Sequence, residues 1–444
     1  MSAMPEGWAK TTLGEIASWS SGGTPSRSEP SYYGGDIPWI KSGELNARYV
    51  TRTEENITEA GLAGSSAKLF PSGSVAIAMY GATIGKTAIL GVDAATNQAC
   101  AVGIPEIGVS SSTFLYRLLQ NEKDAFIAKG KGGAQPNISQ AVIKSHEIYL
   151  PPLAEQTRIA AKLDELLAQV DTLKARIDGI PALLKRFRQT VQESAVSGML
   201  MRGFVDAGHV SFEDSSVKEL VSEPLRNGKS VKDGIGSKVL RLSALKSGII
   251  DIRESKLGDW SGIKVAPYLV RSGDFLVSRG NGSKDLVGRG GEVGSIREEI
   301  AFPDTMIRIR PDPSIMQLQY FAIAWHSRSV RAQIESIAKT TAGIWKISQA
   351  DLGEIRLPVP TPEEQTEIVR RVEQLFAFAD QLEARVAAAQ ERIDKLTQSI
   401  LAKAFRGELV PQDPNDEPAS VLLERIKAQR AAAPKTKRGR KAKA

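Results

Sequence analysis

The sequence predicts an α+β protein with a pseudo-two-fold internal repeat, in which two mixed α/β domains are separated by two long helices. The first observation is a segment that occurs twice. Residues 155–200 align without a gap on residues 364–409, 209 residues further on, with 14 identities in 46 positions. The second is that both copies place apolar residues alternately three and four positions apart, as paired helices do. A period this long indicates a duplicated unit of a domain and a helix, not a solenoid of short repeats.

Both copies of the repeated segment predict a coiled-coil helix, because the alternating spacing continues for about four heptads. Two matching seams in one chain favour antiparallel pairing of the two helices with each other. Pairing of each helix with an external chain is the alternative. The predicted helix-pairing residues are Leu163, Leu166, Val170, Leu173, Ile177 and Leu184 in the first copy and Val372, Leu375, Leu382, Val386, Ile393 and Leu396 in the second.

The ends of the predicted helices carry start and stop signals. Thr361 is a suitable N-cap, Pro362 suits the first helical position, and a glutamate follows three residues after the cap. Gly198 and Gly407 lie where a helix C-terminus favours glycine. Pro181 falls inside the pattern of the first copy and predicts a kink or a break there.

The chain divides into five predicted segments. The two globular segments share an order of short strands with Gly, Ser and Pro turns, then a helix, then a strand that leads into the long helix. The segments are a first domain (1–150), a first helix (151–205), a second domain (206–358), a second helix (359–410) and a basic tail that we expect to be disordered (411–444).

The positive charge of the chain is concentrated in this tail. Nine Lys or Arg residues and no acid follow Glu424, so the net charge of +7 falls to about −2 for residues 1–424. An Ala, Lys and Arg composition is typical of disorder. Such a tail would strengthen salt-sensitive, sequence-independent phosphate binding. A solubilising terminus is the alternative.

Composition predicts a cytoplasmic protein with no membrane association. The single cysteine, Cys100, permits no intrachain disulfide and fits a reducing compartment. The N-terminus lacks the basic start and apolar stretch of a secretory signal. Apolar runs such as residues 75–79 have the length of a strand, far below the roughly 20 residues of a membrane span.

Loops in both globular segments combine glycine with basic, amide, hydroxyl and aromatic side chains. Glycine lets the backbone approach a phosphate, while Arg, Lys, Asn and Gln read base edges. Plain surface loops are the alternative, since Gly, Ser and Lys are ordinary loop residues. The candidate DNA-binding residues are Thr24, Lys41, Ser42, Tyr80, Lys129, Lys131, Gln135 and Asn137 in the first segment and Arg226, Asn227, Lys229, Arg279, Asn281, Lys284, Lys339, Trp345 and Lys346 in the second.

No motif in the sequence indicates catalysis. Residues 81–87 are similar to a P-loop, but three residues instead of four separate the glycines. His146, His209 and His326 are scattered, without metal-ligand spacing or a nucleophile partner. We therefore expect no catalytic residue, no metal site and no cofactor on this chain, and interpret it as a recognition protein rather than an enzyme.

Motifs along both long helices resemble the specificity subunit of type I restriction-modification systems, and the resemblance covers nearly the whole chain. The motifs are residues 150–156 (LPPLAEQ), 163–171 (LDELLAQVD), 180–189 (IPALLKRFRQ), 362–365 (PEEQ) and 404–409 (AFRGEL).

The resemblance implies two target-recognition domains, each reading one half of a split double-stranded DNA target. It implies that the two helices set the unread spacer and dock two methyltransferase (modification) subunits, which restriction subunits then join. S-adenosylmethionine, ATP and Mg²⁺ would act in those partner subunits.

Two other functions stay open at the level of sequence. One is a non-catalytic coiled-coil scaffold with two protein-binding domains, which would select no split DNA sequence. The other is a regulator that binds a nucleotide at residues 81–87.

Overall fold

Residues 4–131, 136–202, 212–341 and 343–432 are described by the computed structural model of the chain. They form two units. Unit 1 consists of Met1–Ile177 and Ala389–Ala444, and unit 2 of Asp178–Ala388.

The first part of the chain is rich in short strands and ends in a long helix. Its strands are β1 (Ala9–Thr12), β2 (Ala17–Ser21), β3 (Tyr33–Ile40), β4 (Tyr49–Val50), β5 (Asn56–Ile57), β6 (Leu69–Phe70), β7 (Val75–Ala78), β8 (Thr87–Leu90), β9 (Ala94–Thr96), β10 (Cys100–Pro105) and β11 (Glu147–Leu150). Its helices are α1 (Leu13–Ile16), α2 (Glu59–Ala63), α3 (Ser112–Asn121), α4 (Lys123–Lys129), α5 (Gln140–Lys144) and α6 (Leu153–Asp178).

The remaining chain repeats this order of elements. Its strands are β12 (Glu213–Ser216), β13 (Arg226–Asn227), β14 (Asp233–Leu240), β15 (Leu245–Lys246), β16 (Ile249–Ile250), β17 (Ser255–Gly258), β18 (Phe275–Ser278), β19 (Gly280–Asn281), β20 (Gly290–Glu292), β21 (Ile300–Ala301), β22 (Met306–Ile309), β23 (Lys339–Thr341), β24 (Ile344–Lys346) and β25 (Arg356–Val359). Its helices are α7 (Ile180–Val196), α8 (Leu318–Trp325), α9 (Arg328–Ile337), α10 (Gln349–Gly353), α11 (Pro362–Ala404) and α12 (Ala419–Ala432).

The sheets confirm the internal repeat and the mixed α/β character of both domains. Unit 1 has a sheet of order β2-β10-β7-β8-β4, and unit 2 has the equivalent order β13-β22-β18-β20-β16, extended by β15. Strands β8 and β4 are parallel in unit 1, as are their equivalents β20 and β16 in unit 2. The other equivalent pairs in both sheets are antiparallel. A second sheet contains β5-β3-β9 in unit 1 and β17-β14-β21 in unit 2, again with matching directions. Strands β1 and β11, like β12 and β25, form a separate pair.

The predicted helix signals are confirmed by the backbone. The first long helix is broken at Gly179 into α6 and α7, and Pro181 is the second residue of α7. Thr361 and Glu364 exchange hydrogen bonds in a capping box at the start of α11. Gly198, which follows α7, has a left-handed φ of 74°. Only glycine adopts this conformation without strain, so it ends the helix efficiently.

Within each unit, segments of the long helices pack side by side in opposite directions. In unit 1, Leu163 of α6 shares a buried core with Ala404 of α11, and Lys174 forms a 2.9 Å ion pair with Asp394. As the residue number on α6 increases, the number of the contacting residue on α11 decreases, so the two helices are antiparallel. In unit 2, Arg188 of α7 pairs with Asp380 of α11 at 2.6 Å, and the buried Val191 shares a core with Val372.

The strict heptad seam is wrong at two of its twelve positions. Leu173 and Leu396 are 48% and 45% exposed. On α6 the buried face instead passes from Leu163 to Leu167 and Val170. An undistorted helix has 3.6 residues per turn, so its buried face drifts away from a strict 3.5-residue repeat. The predicted seam residues that are buried are Leu163, Val170, Leu184, Val372, Val386 and Ile393, and those that are half-buried are Leu166, Ile177, Leu375 and Leu382.

The prediction of disorder from residue 411 onward is wrong for residues 411–432. Helix α12 packs into the core of unit 1 through Ala419, Leu422, Leu423 and Ile426. These residues are spaced three, one and three apart, which places them on one face of a helix. Burial of that face offsets the loss of conformational freedom on folding. Residues 433–444, with six of the nine basic residues of the tail, lie outside the described residues.

Contacts with the N-terminal part of unit 1 also hold this C-terminal segment. The amide of Ala419 donates to the carbonyl of Gly7 at 2.8 Å. Arg158 of α6 forms a 2.6 Å ion pair with Asp416, just before α12. The segment is therefore part of a folded unit.

Candidate nucleic-acid interface

In unit 1, four loops between the main elements are joined by backbone hydrogen bonds. The amide of Gly23 donates to the carbonyl of Thr96 at 2.9 Å, and that of Met79 to Ala99 at 2.8 Å. Ile138 then donates to the carbonyl of Met79 at 2.9 Å. We call residues 22–24, 79–81, 96–99, 129–131 and 136–138 the unit 1 loop edge.

Unit 2 has the same network at equivalent positions. Lys229 donates to Phe302 at 3.0 Å, and Arg279 to Thr305 at 2.8 Å. Ile347 then donates to Arg279 at 3.0 Å. We call residues 228–230, 279–284, 302–305, 339–341 and 343–347 the unit 2 loop edge. The two edges share a backbone framework but carry different side chains.

Two glycines allow these loops to lie close together. A Cβ atom on Gly22 would lie 2.2 Å from the carbonyl oxygen of Thr96, and one on Gly228 would lie 2.2 Å from that of Pro303. No side chain fits at these distances without displacement of the backbone. The glycine-rich sequence of these loops therefore has a packing reason in both units.

A small β-sheet at the unit 2 loop edge brings six of the predicted DNA-binding residues together. Strand β24 pairs on one side with β23 and on the other with β19, so that Asn281 lies opposite Trp345. The Lys284 ammonium lies 4.9 Å from the centroid of the Trp345 ring, within the range of a cation–π contact. The six residues are Arg279, Asn281, Lys284, Lys339, Trp345 and Lys346.

The unit 2 loop edge is positively charged. The side chains of Arg279, Lys284, Lys339 and Lys346 form no ion pair with any residue in the described part of the chain. Their charge remains available to an anionic ligand such as the phosphates of DNA. The exposed Lys229 also belongs to this edge, and Arg226 and Asn227 lie just before it on strand β13.

The unit 1 loop edge brings fewer of its predicted residues together. Tyr80 and Lys131 each form a β-bridge with Asn137, and Tyr80 is exposed. The hydroxyl of Thr24 donates to Oε1 of Gln98. Gln135 lies outside the described residues.

Lys41 and Lys129 already have partners inside unit 1. Lys41 pairs with Glu54 at 2.9 Å and Glu55 at 3.3 Å, and the hydrogen bond to Glu54 raises the pKa of Lys41. Lys129 lies 2.7 Å from Nδ1 of His146. Ser42, which follows Lys41, begins a short 3₁₀ turn. These positions offer less free charge than the unit 2 edge does.

Three exposed residues of the loop edges are absent from the sequence prediction: Gln98, Ser230 and Asp304. The hydroxyl of Ser230 donates to Oδ1 of Asp304, as that of Thr24 does to Gln98. Ser230 could have been found from the sequence, because it follows Gly228 by two residues as the predicted Thr24 follows Gly22. No local pattern marks residues 98 and 304, which come from a different part of the chain.

A cleft of about 620 Å³ adjoins the unit 2 loop edge. Ser278 and His326 line it, and their Oγ and Nε2 atoms are buried without a hydrogen-bond partner in the described part of the chain. Burial lowers the pKa of His326 to about 4, and the nearby Arg289 contributes. The imidazole is therefore neutral at pH 7.

The P-loop-like residues of unit 1 are unlike a nucleotide cradle. They form a 3₁₀ turn at Gly81–Thr83 and continue into strand β8, whereas a P-loop continues into a helix. The ammonium of Lys86 donates to Oδ1 of Asn46 at 2.8 Å. This geometry argues against phosphate binding at the turn.

Among the described residues, no three His, Cys, Asp or Glu side chains lie close enough to hold a metal ion. No helix in the described ranges has the length and apolarity needed to cross a membrane. Cys100 is buried, which raises the pKa of its thiol to about 12 and keeps it protonated.

A duplicated α/β domain with equivalent loop edges defines a class of two-site recognition proteins. The family model described as "Type I restriction modification DNA specificity domain" matches residues 5–182 and 255–390. The chain belongs to this family.

Curated relatives align with the chain along nearly its whole length. The specificity subunit of the type I restriction enzyme EcoKI from Escherichia coli K12 is 35% identical over 461 aligned residues, covering 99% of this chain and 98% of that protein. The StySPI specificity subunit from Salmonella potsdam is 33% identical with the same coverage. The chain is thus a type I specificity subunit by family.

Solved structures share the fold. A chain from a structural study of the assembly and conformational transition of the type I R-M system has a TM-score of 0.65 at 18% identity, covering 92% of this chain and 100% of that one. The HsdS subunit from Thermoanaerobacter tengcongensis has a TM-score of 0.56 at 18% identity, covering 91% and 98%.

Proposed function

We propose that each unit of this specificity subunit reads one half of a split, double-stranded DNA target. The observation that carries the proposal is the pair of loop edges, which share a backbone framework and differ in side chains. A common framework presents both edges to the same kind of ligand. Different side chains select a different base sequence at each.

The unit 2 loop edge has the chemistry of a groove reader. Strands β23 and β24 are the antiparallel edge pair of a three-stranded sheet with β19, and the major groove of B-DNA admits an antiparallel β-ribbon. Lys339, Lys346 and Lys284 neutralise phosphates, while Asn281 offers an amide to base edges. Phosphate contacts position the protein, and base contacts supply specificity.

We infer that the long helices form an antiparallel coiled coil that sets the unread spacer between the half-sites. The ion pairs Lys174–Asp394 and Arg188–Asp380 support this inference, because each joins helices of opposite direction within its own unit. The exposed apolar side chains of Leu173 and Leu396 suit docking of a further helix. We assign that docking to two methyltransferase subunits, which restriction subunits join.

The chain itself acts without catalysis in this proposal. S-adenosylmethionine, ATP and Mg²⁺ serve the partner subunits, and the complex works in the cytoplasm, where its DNA substrate is.

Exchange of one domain tests the modular arrangement. Residues 1–150 are replaced by the corresponding domain of another type I specificity subunit, and the chimera is co-expressed with its modification subunits. We expect single-molecule sequencing of adenine methylation to show a split motif in which only one half changes. A change in both halves contradicts modular reading. Absence of any split motif with the unaltered chain favours a protein-binding scaffold.

A further inference from the structure

Equivalent hydroxyl–acceptor pairs occupy the two loop edges. In unit 1 the pair is Thr24 and Gln98, and in unit 2 it is Ser230 and Asp304. All four side chains are exposed. In each pair the hydroxyl donates and thereby orients the acceptor group, which leaves the rest of that group directed to solvent.

Each pair stands on a rigid part of its loop edge. Gly22 donates to the carbonyl of Cys100 at 3.2 Å, and Gly228 donates to that of Met306 at 3.1 Å. Trp39 fixes the unit 1 loop further, because its indole donates to the carbonyl of Gly23 at 3.0 Å. A side chain held on such a platform loses little freedom when it binds a ligand.

Asp304 is an acid on a basic edge. The guanidinium of Arg279 is directed to the backbone carbonyl of Asp304 at 3.5 Å, and the Asp304 carboxylate forms no ion pair within the described residues. A carboxylate facing DNA is repelled by phosphates. It becomes favourable when it accepts a hydrogen bond from the amino group of a base.

On the basis of the proposed function, we propose that residues 98 and 304 are equivalent base-reading positions, Asp304 for cytosine and Gln98 for adenine. An ionised carboxylate only accepts hydrogen bonds, and N4 of cytosine donates. Adenine also donates from N6, but its neighbouring N7 is an acceptor and repels a carboxylate. The Gln98 amide matches adenine, since Oε1 accepts from N6 and Nε2 donates to N7.

The substitution Asp304→Asn tests the unit 2 position. Asparagine retains an oxygen for the Ser230 hydroxyl but exchanges the charge for an amide. We expect one position of one half-site to change from cytosine to adenine, with a preference of roughly 10-fold, while the other half-site is unchanged. Sequences are selected from a random duplex pool by the full chain in complex with its modification subunits.

The substitution Gln98→Glu is the reciprocal test. It retains the oxygen that accepts from Thr24 and replaces the amide nitrogen by a charged acceptor. We expect one position of the other half-site to change from adenine to cytosine. Asp312→Asn is the matched control, because Asp312 also accepts from a serine hydroxyl, that of Ser314 at 2.7 Å, away from the loop edge. It leaves the motif unchanged.

The outcomes separate this inference from the proposed function. If the unaltered complex selects a split motif and both variants, with unchanged unfolding temperatures, retain it, residues 98 and 304 are structural and the inference is wrong. A gain in affinity that is equal for all sequences also overturns it, since charge removal alone explains such a gain. If the unaltered complex selects no motif, the proposed function itself fails.

Discussion

At the level of a single residue, burial changes the ionisation of His326, which lies just after helix α8. Its ring lies 6.2 Å from that of Phe275, and its pKa is lowered from 6.5 to about 4 by burial first and by Arg289 second. The folded protein therefore binds fewer protons than the unfolded chain between these two values. By linkage, His326 favours the folded state fully above pH 6.5, and this contribution declines as the pH falls towards 4.

The substitution His326→Gln removes this proton-linked term. We expect the unaltered protein to lose thermal stability between pH 6.5 and 4 more steeply than the variant, with parallel curves above pH 7. Unfolding temperatures measured at half-unit pH intervals give the difference. A constant difference across the whole range contradicts the assigned pKa.

The residues of the site were only partly predictable from sequence. Composition identified Lys284 and Trp345 as candidate DNA contacts, because glycine-rich basic loops have a recognisable chemistry. Their contact depends on the pairing of β19 with β24, two strands that 62 residues of sequence separate, and no local pattern encodes that pairing. Asp304 was missed because an isolated acid is a poor sequence signal for a DNA-binding surface.

At the scale of the element, helix α6 shows where a heptad pattern and a real helix differ. Leu163 is fully buried, whereas Leu173, ten residues later in the same predicted seam, is about half exposed. The burial of a leucine determines the cost of its truncation, since both the transfer of the side chain and the cavity left behind contribute. The two positions therefore form a matched pair.

We expect Leu163→Ala to cost about 2–5 kcal/mol of unfolding free energy and Leu173→Ala about 1 kcal/mol or less. Urea unfolding of the two variants, followed by circular dichroism, measures the difference. Equal losses at both positions contradict the assigned burial and restore the strict heptad seam in this part of α6.

The ends and breaks of the long helices were the most predictable features, because they depend on residues that are neighbours in the sequence. The cap at Thr361 and the break near Pro181 follow from local backbone chemistry. Helix α12 was missed because Lys, Arg and Ala dominate the composition of its segment. The spacing of Leu422, Leu423 and Ile426 would have predicted this helix, but composition alone does not include spacing.

At the scale of the whole molecule, charge is distributed unevenly along the chain. Residues 1–424 carry a net charge of about −2, yet the unit 2 loop edge is locally basic and the last residues are strongly so. In the proposed function the sequence-specific contacts belong to the folded loop edges, and we expect part of the non-specific attraction to phosphates to come from the C-terminal residues. Residues 411–432 of the predicted tail belong to the folded unit 1. The proposed attraction to phosphates is therefore assigned to residues 433–444.

Deletion of residues 433–444 separates the two roles. It removes six cations, so the slope of log affinity against log salt should fall in magnitude by up to about 5. The recognised motif should not change, because the loop edges are intact. Fluorescence anisotropy of the complex on a labelled duplex, from 50 to 200 mM salt, measures the slope.

A longer deletion, of residues 411–444, should also lower the unfolding temperature, because the apolar face of α12 leaves the unit 1 core. If the shorter deletion leaves the salt slope unchanged, residues 433–444 take no part in phosphate binding and act only as a solubilising terminus.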